Sequence, residues 1–263
     1  MAKATNEAIH QSLSSARLLK IMECLSEKHF PVRLTDLSRE LQMTQPTVLR
    51  YLNSLCSSGY VYQDSTSGGY SLTWKVCRIG SNVQNSTNIR NIVGPYINQM
   101  ANDLDVGMLM AVERNGDIVY LDMALNPGNP METLLRIGKD APIHSTASGK
   151  VLLSCHSDIE IESIIKKKGM QKLTGNTITD LPTLMKEIEK IRKNGYAVDN
   201  EECEMGHRCV SVPIYDYTGK AAAAVSAFHN TDMLGDQRIE TQILPALRKA
   251  SAELSYRLGY QPE

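Results

Sequence analysis

Thr47, Arg50, Tyr51 and Ser54 recur at i, i+3, i+4 and i+7, the spacing that places four side chains on one face of a helix. Two hydroxyls, a guanidinium and a phenol are groups that hydrogen-bond base edges or phosphates in a DNA major groove. Arg50 is the leading candidate, because its planar fork can engage a guanine or a phosphate through two parallel bonds. Gln45 and Thr47 stand at the start of the same segment, where helix N–H groups and the helix dipole favour a phosphate. The opposite stripe, Val48, Leu52 and Leu55, is apolar and calls for a core beneath it. The solvated face of a small helical domain would show the same pattern, so the spacing alone leaves both readings open.

These side chains need a scaffold, and the flanking sequence supplies one. Leu18, Met22 and Leu25 predict a helix, preceded by a polar, frayed segment at 1–12. A short helix starts near Thr35, a capping residue, with Leu37 and Leu41 turned inward. Thr44 caps the third helix, Pro46 sits in its first turn where a missing N–H does no harm, and Gly59 stops it. Val61-Tyr62 and Tyr70-Ser71-Leu72 are β-prone runs around Ser67-Gly68-Gly69, a hairpin whose glycine tip could lie beside a minor groove. Residues 1–80 thus read as a winged helix-turn-helix running into a helix that restarts at Trp74. The polar stretch at 81–90 reads as a linker.

Residues 91–263 alternate element types. A helix is expected at about 89–104 and strands at about 106–113 and 118–125, around the hairpin signal Asn115-Gly116. A strand follows near 132–137, then helices at about 146–154, 157–168 and 180–194. Strands near 196–199, 209–215 and 221–229 precede a closing helix at about 236–258. Strand pairs separated by helices predict an α/β domain with a largely antiparallel sheet, so the whole chain is of the α+β class.

Composition is that of an ordinary globular chain, 42% hydrophobic and 22% charged over 263 residues. The net charge of −1 excludes a nonspecific nucleic-acid binder as a whole, yet residues 1–80 carry nine Lys/Arg against six Asp/Glu and the remainder 19 against 23. A basic head on an acidic body suits a DNA-contacting domain. Cysteines 24, 56, 77, 155, 203 and 209 have no regular spacing and read as reduced thiols rather than a disulfide framework. No apolar signal segment opens the chain, and its longest apolar run, Ala221 to Phe228, is too short to span a bilayer. The expected location is the cytoplasm.

Three blocks in order make the reading specific. LTDLSRELQMTQPTVLRYLNSLCSSGYVYQD with GGYSLTWKVCRIG, then APIHSTASGKVLLS (141–154), then GYAVDNEECEMGHRCVSVPIYDYTGKAAAAVSAF (195–228) together resemble the IclR family of transcriptional regulators over nearly the whole chain. Within that family the sequence is most similar to regulators of sugar-acid catabolism. The resemblance implies a GAF-like or profilin-like effector domain and a homodimer or dimer of dimers on double-stranded DNA carrying a palindromic operator. It also implies a small carboxylate effector, such as a 2-oxo acid, an aromatic acid or a sugar acid. Family positions at the effector carboxylate fall here on Ala147 and Ser148, and further polar pocket positions on Asp199, Cys209 and Ser226. The chain departs from the pattern twice: Phe228 replaces a pocket serine, and Pro46 replaces a serine of the recognition helix.

Read as residues, Ser145-Thr146 before Ala147-Ser148-Gly149 form a capped helix start of small residues, an inviting place for an anion. Ser226 lies in a small-residue run where a strand leaves room for a ligand. Close packing explains a small-residue helix start equally well, Cys209 suits a buried apolar filler, and Asp199 beside Asn200 suits a turn. Cys203 and His207 among Glu201, Glu202 and Glu204 raise a metal cluster, but zinc spacing is absent and Gly206 disfavours a helix there. Cys209 with His144 is a conceivable nucleophilic pair, although no nucleophile elbow, phosphate loop or HExxH accompanies it. No metal and no cofactor is implied. An enzyme acting on a small carboxylate, and a winged-helix module that binds protein, are the alternatives to a regulator.

Overall fold

Apolar stripes along the chain close around separate cores in two units, Met1–Thr87 and Asn88–Glu263. The computed structural model describes residues 2–86, 89–124 and 140–262. The first unit contains α1 (Ala2–Ser26), α2 (Leu34–Glu40), α3 (Gln45–Ser57), β1 (Val61–Gln63), β2 (Tyr70–Leu72) and α4 (Lys75–Ser86). The segment expected to fray at 1–12 is helical from Ala2, since no glycine or proline interrupts it. Thr35 is not the cap of α2. Arg33 holds that position, its carbonyl accepting from Asp36 and Leu37 N–H at 3.1 Å each. Thr44 is the N-cap residue of α3, though its hydroxyl pairs with that of Thr47 (2.9 Å) and makes no capping bond. Ile21, Leu25, Leu37, Val48, Leu52, Leu55, Val61 and Tyr70 form the core.

In the second unit α5 (Ile89–Leu104) leads into β3 (Gly107–Arg114), β4 (Asp117–Ala124) and β5 (Asp140–Pro142). Then come α6 (Ala147–Leu153), α7 (Asp158–Lys168), α8 (Leu181–Asn194), β6 (Ala197–Asn200), β7 (His207–Tyr215) and β8 (Ala221–Asn230). The strand expected near 132–137 lies outside the described residues. Helix α9 (Asp236–Arg238) passes through a π-helical turn, Ile239–Ile243, into α10 (Leu244–Arg257). The closing helix is therefore not uniform, and Pro245, which cannot donate within the helix, sits just beyond the wide turn.

The sheet has the order β5-β4-β3-β8-β7-β6, and every pairing is antiparallel. Side chains alternate across it. Met108, Met110, Val210, Val212, Val225 and Ala227 pack on the side of α5 and α10. Leu109, Ala111, Ala224 and Phe228 face the side of α6, α7 and α8. Every residue of α6 is buried. It lies so close to the chain before it that a Cβ on Gly149 would stand 2.1 Å from the Ile143 carbonyl oxygen. Glycine is the residue that permits this approach.

Candidate functional site

Helix α3 presents Gln45, Pro46, Leu49, Arg50, Asn53, Ser54 and Ser57 as exposed residues, with Thr47 half-buried. Pro46, Leu49, Arg50, Asn53, Ser54 and Ser57 line one shallow depression. Tyr51 does not share that face. Only 6% exposed, it belongs to the core, because it stands three residues after Val48 and four before Leu55 and so continues the inward stripe. Its hydroxyl accepts from Arg50 Nη2 at 3.3 Å, and the guanidinium lies 5.1 Å from the ring centroid. Tyr51 thus orients Arg50 from behind. Asn53 and Leu49 take the outward positions, which an i, i+3, i+4, i+7 count starting at Thr47 passes over.

In the second unit a narrow cavity of about 40 Å³ lies between the sheet and α6. Its walls are Leu109, Tyr120, Cys209 and Phe228 from the sheet, Thr146, Ala147 and Ser148 at the start of α6, and Asp199 from β6. Cys203, Glu204, His207 and Arg208 complete it. Thr146 caps α6 by accepting from Gly149 N–H at 3.1 Å. Ser148 Oγ meets Ser226 Oγ at 2.9 Å, and Ser226 donates on to Ser211 Oγ at 2.8 Å. Ser226 therefore stands behind Ser148 and braces it, whereas Ala147, Ser148, Asp199 and Cys209 line the cavity itself.

Buried charge surrounds this space. Lys150, 0% exposed, donates to Val198 O at 2.6 Å and pairs with Glu202 Oε1. Glu202 N–H and Cys203 N–H donate to Asp199 Oδ1 at 2.8 and 3.3 Å. Thr177 donates to the Glu202 carbonyl and Thr174 to that of Glu201, both at 2.6 Å. One web thus ties α6 to β6, which carries Asp199, and to the turn that follows it. Burial raises the Asp199 carboxyl to about 7, against the two N–H donors and Lys150, which favour ionisation. Burial likewise raises Glu202 while Lys150 opposes it, and pushes the Cys209 thiol far above its usual range.

The other candidate groupings come apart. His144 Nε2 donates to Gln171 O at 3.1 Å and lines a different depression with Asp117 and Lys168. It does not join Cys209, whose burial disfavours a thiolate. Cys203 and His207 do share the cavity, but among the described residues no group of three or more His, Cys, Asp or Glu is placed to hold a metal ion. Leu109 and Tyr120 escaped the sequence reading. A register shift between Met110 and Ala111 in the β3–β4 pairing decides which β4 side chain reaches this face, and nothing local signals it. Among the described residues no helix is long and apolar enough to cross a membrane.

Comparison with known proteins fits both sites into one frame. The sequence profile of the IclR helix-turn-helix domain matches residues 14–65, and that of the bacterial transcriptional regulator IclR C-terminal domain matches 81–256. The HTH-type transcriptional regulator KdgR of Escherichia coli (strain K12) is 29% identical over 261 residues, 99% of this chain and 98% of its own. The crystal structure of the Thermotoga maritima IclR covers 95% of this chain and 100% of its own, at 29% identity and a TM-score of 0.63. A complex of 3-hydroxybenzoic acid with the inducer-binding domain of a PobR double mutant from Acinetobacter covers 64% of this chain and 98% of its own, at 26% identity and a TM-score of 0.61. With a DNA-binding head and a ligand-binding body each matched in order along its length, this chain belongs to the IclR family of bacterial transcriptional regulators.

Proposed function

We propose that this regulator acts in the cytoplasm as a homodimer or dimer of dimers on a palindromic operator, and that a small carboxylate, a sugar acid or 2-oxo acid, modulates its grip. Gln45, Thr47, Arg50 and Ser54 make the DNA contacts, with Tyr51 steadying Arg50. Ala147, Ser148, Asp199 and Cys209 hold the effector, with Ser226 fixing Ser148. The observation that carries the reading is the convergence of residues from three distant stretches, 146–148, 199–209 and 228, on one buried, partly polar cavity. A carboxylic acid in the inducer-binding domain of PobR supports the ligand class. Two recognition helices in successive major grooves set half-sites about 10 bp apart or a multiple of that, and coupling between the sites is reciprocal.

Selection of fragmented genomic DNA by the purified protein at near-physiological salt tests the reading. Enrichment of a few sites bearing an inverted repeat, and a change in their retention on adding a carboxylate, is the expected result. Proportional retention of all fragments, with no response to any acid, would remove it. At an enriched site Arg50→Ala is expected to weaken binding by about 1–3 kcal/mol, roughly 5- to 150-fold. Unchanged affinity in a gel-shift titration would take Arg50 out of the reading surface.

Effector affinity should also depend on pH. The folded Asp199 carboxyl lies near 7 instead of the usual carboxylate range, so below pH 7 it is mostly neutral and can donate to an anionic oxygen. Above pH 7 it ionises and repels the anion, and Glu202 adds to the repulsion while Lys150 offsets it. The ligand's own carboxylate is ionised throughout. Affinity measured by calorimetry should therefore fall as pH rises through 7, by up to about tenfold per unit. Asp199→Asn should flatten that slope, and a slope retained in the variant would assign it to another group.

A further inference from the structure

Helix α3 carries base-reading groups beyond Arg50, an inference that rests on the DNA contacts just proposed for this helix. At about 3.6 residues per turn, Pro46, Arg50, Asn53 and Ser57 run along the middle of the face opposite Val48, Leu52 and Leu55, and all four are exposed. Leu49 and Ser54 flank them, with Gln45 and Thr47 farther out at the edges. The hydroxyls of this face are already committed. Ser54 Oγ donates to Arg50 O at 3.1 Å, Ser57 Oγ to Ser54 O at 2.9 Å, and Thr47 Oγ1 pairs with Thr44 Oγ1 at 2.9 Å. Contact with DNA through such a hydroxyl exchanges one hydrogen bond for another and discriminates little. The Asn53 amide is different. Among the described residues no side-chain bond engages it, and it offers a donor and an acceptor side by side. That pair matches adenine, whose major-groove edge presents N7 beside N6–H. Three residues separate Arg50 from Asn53, a rise of about 4.5 Å along the helix, close to the step of about 3.4 Å between base pairs. The two side chains therefore address neighbouring pairs. Leu49, one turn before Asn53, is an apolar side chain left 36% exposed on a polar face, and the apolar group that a major groove offers is the thymine methyl. No carboxylate occurs in α3 to repel the phosphates.

We propose that Asn53 is a specificity-determining residue of this head: its amide takes an adenine through N6–H and N7 beside the base pair that Arg50 reads, and Leu49 covers a thymine methyl in the same step. Each half-site then holds an A·T pair next to the pair contacted by Arg50, and Asn53 fixes its identity.

The duplex enriched by genomic selection is the probe, in gel-shift titrations of the full chain at fixed salt. Adenines are replaced singly by 7-deazaadenine, which loses N7 yet still pairs, and thymines singly by uracil, which loses the methyl. The native protein should lose about tenfold in affinity at one adenine of each half-site and about threefold at one thymine. Asn53 and Leu49 lie outside the core of the head, so their alanine variants should fold. Asn53→Ala should bind the unmodified duplex about tenfold more weakly and no longer distinguish 7-deazaadenine, and Leu49→Ala should no longer distinguish uracil. In a repeated selection Asn53→Asp should turn the preferred base at that position from adenine toward cytosine, whose N4–H donates to a carboxylate. A native protein indifferent to 7-deazaadenine at every position, or an Asn53→Ala protein still sensitive to it, overturns the Asn53 assignment, and indifference to uracil overturns that of Leu49. Loss of affinity in Arg50→Ala on the same duplex would then leave the DNA reading standing. A selection that enriches no sequence overturns that reading and this inference together.

Discussion

Replacing Lys150 with methionine is expected to lower the thermal midpoint of the C-terminal domain by roughly 10 °C, about 3–5 kcal/mol, as measured by scanning calorimetry. The reasoning starts from burial. The Lys150 and Glu202 side chains are 1% and 9% exposed, and Glu202 Oε2 has no hydrogen-bond partner among the described residues. Removing the ammonium leaves a carboxylate in a dry site with its counter-charge gone, and strands the Val198 carbonyl that Lys150 also serves. Desolvation of the surviving charge dominates the loss, since the pair's own attraction is largely cancelled by the cost of burying both members. The double replacement Lys150→Met with Glu202→Leu should accordingly regain most of the lost stability. It should not regain effector binding in full, because the Lys150–Val198 O bond that ties α6 to β6 stays lost. A single variant as stable as the native protein would mean that the pair is hydrated in solution.

Gly149→Ala should be nearly as damaging, for a steric reason. The new methyl would stand 2.1 Å from Ile143 O and 2.6 Å from Ile143 C, against an ordinary contact of about 3.5 Å. The obstacle is backbone, so α6 itself must retreat by roughly 1 Å. Overpacking of this kind costs about 1–3 kcal/mol and occasionally more. Ala147 and Ser148 would move with the helix, and effector affinity should fall by about tenfold or more because such sites tolerate only about 0.5 Å of misplacement. Operator binding by the head, whose core is formed within the other unit, should persist in gel-shift titrations. A variant with native midpoint and native effector affinity would show that α6 does not rest on Ile143 as described.

Much of the fold was legible in the chain, but unevenly. The wing, the Asn115-Gly116 hairpin and the three helices between β5 and β6 follow from turn residues and apolar periodicity, which act over a few residues. Tyr51 shows the limit of a helical count. Its position satisfies both the outward series from Thr47 and the inward series from Val48, and only the packed core settles that its ring goes in. Lys150 shows a different limit. A lysine after Gly149 reads as a solvated residue, and nothing adjacent to it indicates that Val198 and Glu202, some fifty positions away, will receive its charge. The cavity was half visible. The family resemblance pointed to Ala147, Ser148, Asp199 and Cys209, and marked Phe228 as a departure, but it was silent on Leu109, Tyr120 and His207.

By itself the sequence determined most of the elements and which of their faces must be covered, because capping, turn geometry and amphipathic spacing are local properties of the chain, although it misplaced the start of α2 and did not mark β5. Tertiary structure alone decided the rest: the strand order, the register shift that brings Tyr120 to the cavity, the lodging of Phe228 on Gly107, and the raised carboxyl of Asp199. Register, close approach and desolvation depend on neighbours distant in sequence, and those neighbours exist only once the sheet and α6 have come together.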